Sequence, residues 1–268
     1  MKFQQGMLYQ MLAIWLWSLS TIACAQIPRL PTTVEQGWQL LLSDYRDFYL
    51  SEDQWLRLGA GFAVAGVMAN TNTDQYLRDW YQDHERGAAS DDVSKFVKHF
   101  GRWQTMLPVS LAAVGIGYLL PQDAESPITI WGEQTLRAYV TAAPLMYAGQ
   151  WLTGGSRPGE KENASHWRPL VDVNGISGHA FVGAVPFMTI AHMSTNPFIH
   201  YGAYAASALT AWSRVNDDAH FTSQALLGWF IAYETTNSVF ADEGHTSLDH
   251  IALLPLPSGA TLQVNYQW

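Results

Sequence analysis

From Val173 to Ser213 the chain carries no Asp, Glu, Lys or Arg. That is enough chain for two helices, and a helix without a charged or polar face must be enclosed by protein or by lipid. Gly, Ala, Ser, Thr, Asn and His are scattered through the stretch, and the mean hydropathy of the whole chain is −0.04. A set of spanning helices, each needing about 20 apolar residues, would raise that value well above zero. The expectation is a buried helical core with an aromatic face resting on a membrane. Several true spans are the alternative.

Helical periodicity runs through most of the sequence. Residues 34–50, 54–70, 92–120, 130–152, 179–195, 198–213 and 220–240 read as helices, separated by segments rich in Gly, Pro and Asn. The segment holding Asp74, Asp79, Asp83, Glu85 and Arg86 reads as a solvated, charged connection. The fold class expected is all-α, a single-domain bundle of about six core helices. At the end of the chain, apolar runs flank Pro257-Ser258-Gly259 and suggest a short β-hairpin with Leu262, Val264, Tyr266 and Trp268 on one face. An irregular tail is the alternative. The domain reading is a signal peptide over 1–25, a helical domain over 26–248 and a tail or hairpin over 249–268.

The N-terminus supports export. A positive Lys2 precedes an apolar run from Met11 to Ala23, and Ala23-Cys24-Ala25 offers the small residues of a cleavage site before Gln26. A retained anchor and a lipoprotein signal using Cys24 are the other readings. The single cysteine excludes a disulfide scaffold. Acidic residues outnumber basic ones, 23 to 14, with no Lys/Arg run, so a nucleic-acid partner is not expected.

Three polar islands bracket the charge-free stretch. Gln150-Trp-Leu-Thr-Gly-Gly-Ser-Arg157-Pro158 is a helix end running into a Gly-rich turn. Gly175-Ile176-Ser177-Gly178-His179 opens a helix, and Ser213-Arg214 leads through Asp217 and Asp218 to His220 and Gln224. Arginine gives bidentate, permanently charged bonds to phosphate oxygens. A helix start presents free N–H groups to an anion, and histidine serves as nucleophile or proton donor near neutrality. Together these are the parts of a phosphoryl-transfer site. Neither these histidines nor the other seven show a metal-ligand spacing of the His-Glu-x-x-His kind.

In order and spacing the islands resemble the type 2 phosphatidic acid phosphatase and vanadium haloperoxidase superfamily. Its pattern is Lys, six residues, Arg-Pro; then Pro-Ser-Gly-His; then Ser-Arg, five residues, His, three residues, Asp. Here Gln150 replaces the Lys, Ile176 the Pro and Gln224 the Asp. A second candidate for the first motif, Lys161 to Arg168-Pro169, keeps the Lys but lacks the helix-then-glycine context.

The resemblance implies an all-helical core and a phosphatase working without metal or other cofactor on phosphate monoesters or diphosphates, and the apolar surroundings of the site point to lipid-linked ones. His220 would attack phosphorus, His179 would protonate the leaving oxygen, and Gln224 would orient His220. Gln150, Arg157, Ser177, Gly178 and Arg214 would surround the phosphate. Asp217 or Asp218 would cap the following helix or supply the missing carboxylate. The implied partners are a phosphorylated lipid or small phosphoester and a membrane surface, and the implied compartment is the periplasm or cell envelope, with a multi-pass membrane protein as the alternative. A phosphate-binding protein without turnover and a vanadate-dependent haloperoxidase are the other functions the pattern leaves open.

Overall fold

The structure, a computed structural model, describes residues 34–119 and 126–241, with the backbone of 251–256 and 259–264. The described body is helical: α1 Val34–Tyr49, α2 Glu52–Asn70, α3 Thr73–His84, α4 Ala88–Val97, α5 Trp103–Leu119, α6 Pro127–Thr153, α7 Gly178–Met193, α8 Pro197–Asn216 and α9 Thr222–Ala241. Beyond them, Ile251–Leu256 (β1) pairs antiparallel with Gly259–Val264 (β2), placing Leu253 opposite Leu262. The expected signal segment, and Tyr266 and Trp268 of the hairpin, lie outside the described residues.

Helix α7 is the centre, packed by α6, α8 and α9. Ala180, Phe181, Val185, Met188, Ile190 and Met193 are buried on its several faces, as a core helix without a polar stripe requires. One apolar cluster gathers Phe48, Leu58, Met146, Ile176, Phe181 and Ile231, and a second gathers Phe100, Met106, Trp131, Ile190 and Phe240.

Prolines sit inside α5 (Pro108), α6 (Pro144) and α7 (Pro186), and tyrosines compensate the last two. Each removes a backbone donor and frees the carbonyl four residues earlier. Pro186 of α7 does this to Val182, whose oxygen accepts from the Tyr139 hydroxyl at 2.7 Å. Pro144 of α6 does it to Val140, which accepts from Tyr45 at 2.9 Å. Beside it the Tyr49 hydroxyl enters the ladder, accepting from Leu145 N at 3.2 Å and donating to Thr141 O at 2.8 Å. Tyrosines of α1 and α6 thus restore what these two prolines remove.

Two buried clusters pair opposite charges. Arg137 of α6 forks onto Asp44 of α1 at 2.6 and 2.8 Å, with Asp44 fully buried. Glu234 of α9 accepts from Gln54 at 3.0 Å and from Arg57 at 2.9 Å, both in α2. Among the described residues no helix is long and apolar enough to cross a membrane.

Two sequence expectations need correction. Residues 92–120 form two helices, broken at Lys98–Arg102 by successive i to i+3 turns. At the break Gly101 abuts α7, where a Cβ would lie 2.6 Å from the His179 carbonyl oxygen. The charged segment around Asp79 is not a loop but α3. Its inner face carries Asp74, Arg78, Tyr81 and Gln82, at helical spacing but polar.

Candidate active site

The three islands meet at one end of α7. Helix α6 ends at Gly154, in the left-handed conformation with φ 60°; a Cβ there would strike the Arg168 carbonyl. The chain then turns through Gly155 and Ser156 to Arg157, laced to the segment before α7. Asn174 N donates to Gly155 O at 2.9 Å and Arg157 Nε to Asn174 Oδ1 at 3.0 Å. Arg157 is exposed.

Ser177 is the N-cap of α7, its Oγ accepting from Ala180 N at 3.3 Å. Gly178 and His179 open the helix, and first-turn amides have no acceptor within their own helix. Gln150 lies beside this turn. It donates from Nε2 to Ile176 O at 3.0 Å, so its amide fastens the end of α6 to the start of α7.

His220 is buried at the start of α9, and its tautomer follows from its neighbours. Gln224 Nε2 donates to Ser156 O at 2.9 Å, and a carbonyl only accepts. Gln224 Oε1 accepts from Phe221 N at 3.2 Å, and an amide N–H only donates. The side-chain amide is therefore oriented by two independent bonds. Its oxygen also faces His220 Nδ1 at 2.9 Å, so Nδ1 holds the proton and Nε2 keeps its lone pair. The Gln224 backbone carbonyl accepts from Ser177 N at 2.9 Å, joining this histidine's support to the cap of α7.

The field is positive. Burial, with Arg214, Arg102, Arg157 and Lys98 adding, holds His179 down to about 4. Burial takes His220 to about 3, against the opposing bond from Gln224 and with help from Arg214, Arg157 and His179. Arg214 is itself buried, and burial lowers its pKa from the ordinary value. Both histidines are thus neutral at pH 7 in a pocket of guanidinium charge. Such a pocket suits an incoming dianion, whose charge would draw a proton back onto His179.

The structure therefore brings together His179, His220, Arg157, Arg214, Ser177, Gly178, Gln150 and Gln224. It does not place Arg168 among the charges acting on either histidine; its Nη2 donates to Glu162 O at 3.2 Å. Nor does a carboxylate reach His220. Asp218 forks with Arg78 at 2.6 and 2.7 Å, and Asp217 takes Ser94, Lys98 and Arg214. Neither caps α9. That task falls to Asp74 of α3, which accepts from Ser223 N at 2.9 Å and Ser223 Oγ at 2.5 Å. Asp217 instead ends α8, satisfied by Ser213 O and Val215 O through its own N–H.

Sequence reasoning missed Lys98, Arg102 and Asn174. The only signal for the first two was a Gly-Arg pair inside an otherwise helical stretch. Among the described residues no group of three His, Cys, Asp or Glu side chains is placed to hold a metal ion.

The three islands thus converge at one end of a helical core, with two histidines among arginines. The chain carries a PAP2 superfamily domain, the family's model matching residues 136–243. That span takes in all three islands. Comparison with curated proteins and with solved structures found no significant match.

Proposed function

We propose that this protein is a phosphatase that passes a phosphoryl group through His220. Membership of the PAP2 superfamily points to phosphatase-like activity, and the orientation of the Gln224 amide carries the finer reading. It leaves His220 Nε2 unprotonated and aimed from a buried ring among positive charges. In the first step Nε2 bonds to phosphorus, the bond from phosphorus to the leaving oxygen breaks, and that oxygen takes a proton from His179. In the second, water attacks phosphorus, gives its proton to His179, and the P–N bond breaks. Arg157, Arg214, the Ser177 hydroxyl and the first amides of α7 hold the equatorial oxygens as charge shifts between them.

A lipid-linked phosphoester at a membrane surface of the cell envelope is the substrate setting we favour. Leu56 and Val64 of α2, Tyr76 and Trp80 of α3, and Leu226 of α9 are exposed apolar side chains, and large exposed apolar surfaces mark contact sites. An apolar groove of about 430 Å³ between α3, α8 and α9 adjoins them.

The test is phosphate release by the purified protein in the presence of a chelator, from a soluble phosphomonoester and from a lipid phosphate in vesicles. Turnover should be greater on vesicles. His220→Ala should lose it by more than about 10³-fold, and His179→Ala by about 10²–10⁴-fold. Equal turnover by wild type and His220→Ala would overturn the reading. A binding-only role is the second reading, favoured by the neutral Gln150 and Gln224; it predicts phosphate binding with no turnover in any variant.

A further inference from the structure

Of the two arginines in the islands, Arg214 meets a carboxylate, Asp217 at 3.5 Å. Arg157 does not. Among the described residues its side chain makes one hydrogen bond, from Nε to Asn174 Oδ1 at 3.0 Å. An exposed arginine tethered by one neutral acceptor keeps its whole charge, and both terminal nitrogens, for an incoming anion. The direction of Asn174 therefore sets the direction of the guanidinium.

Asn174 is itself oriented. Its Nδ2 donates to Asp172 Oδ1 at 2.9 Å, and a carboxylate only accepts. Its Oδ1 takes the Arg157 Nε, which only donates. These two bonds allow a single orientation of the amide. Asp172 holds the other side of the turn as well. Its Oδ2 accepts from Ser156 Oγ at 2.9 Å, and Ser156 is the buried residue just before Arg157. Val173 N at 2.7 Å and Lys161 Nζ at 3.4 Å are further donors to the same carboxylate. Asp172 thus grips Arg157 twice: from the backbone through Ser156, and from the side chain through Asn174.

The interposed amide has an electrostatic effect. A carboxylate bonded directly to Arg157 would offset the charge that a phosphate needs, whereas a neutral amide passes on direction alone. We infer that Asp172 is a positioning residue, which aims Arg157 at the phosphate through Asn174 and leaves its charge intact. This rests on the phosphoryl-transfer reading above in taking Arg157 to bind phosphate.

A double-mutant cycle on the full chain tests it, read as the calorimetric Kd for inorganic phosphate beside kcat/KM on a soluble phosphomonoester. Arg157→Ala should weaken phosphate binding by about tenfold or more, the scale of a charge-assisted bond. Asn174→Ala and Asp172→Ala should each weaken it by about fivefold, the scale of freeing one long side chain. In the Arg157→Ala background neither should weaken it by more than about twofold, since nothing is left to aim. Asp172→Asn should recover most of the loss, because its side chain can still accept from Asn174 and donate to Ser156 Oγ. A partly misfolded variant lowers the number of sites titrated, not their affinity. Losses that multiply with that of Arg157→Ala, or an unchanged Kd in Asn174→Ala, overturn the inference. Phosphate binding without turnover in wild type overturns the phosphatase reading and leaves the cycle to decide this one. Neither binding nor turnover overturns both.

Discussion

Gln224 does with an amide what the superfamily pattern does with a carboxylate. It fixes the ring of His220 and its tautomer but brings no negative charge, so its hydrogen bond alone opposes burial and the nearby guanidiniums and does not outweigh them. The result is a ring held neutral, at about 3, below the ordinary histidine value near 6.5. The sign follows. Above about pH 6.5 neither the folded nor the unfolded ring is protonated and the full stability is present. As pH falls below that value the unfolded chain takes up a proton that the folded ring refuses, so stability is lost until about pH 3. Between pH 6 and 4 this one residue should cost about 1.4 kcal/mol per pH unit. Urea unfolding should show a steeper acid decline for wild type than for His220→Gln; equal declines would contradict the assignment. Inorganic phosphate should reduce the difference, because an anion favours the protonated rings.

At the scale of elements, α3 is a small helix with a large task. Its Asp74 caps α9 in place of any local residue, and its Arg78, Tyr81 and Gln82 bind the last residues of α8 and the turn after it. Asp74→Ala would leave the buried Ser223 N–H and hydroxyl without an acceptor. A loss of about 2 kcal/mol is expected, read as a lower urea midpoint, with Asp74→Asn recovering part. The cap of α7 was legible in the sequence because Ser-Gly-His and its helix are adjacent, and cap chemistry is local. Helix α3 was not, because its inner face is polar and its partners lie more than a hundred residues further along. The break at Lys98–Arg102 was hidden for a similar reason: Gly101 packs against the backbone of His179, in a distant element. The motif residues could be read as a set, while the surrounding cations could not, since Arg102 gains its meaning only from where α4 docks.

For the molecule as a whole, the stretch that matches the PAP2 superfamily, residues 136–243, borrows its counter-charges from outside itself. Glu234 depends on Gln54 and Arg57, Asp218 on Arg78, and Asp217 on Ser94 and Lys98. The fork between Arg137 and Asp44 has the sharpest consequence. Excising everything before residue 136 would strand a guanidinium inside oil with its carboxylate cut away, a change expected to cost about 3–5 kcal/mol. The shortened polypeptide should show broad, non-cooperative melting and poor dispersion of its amide signals. The stretch that matches the superfamily is, in this sense, not a portable module.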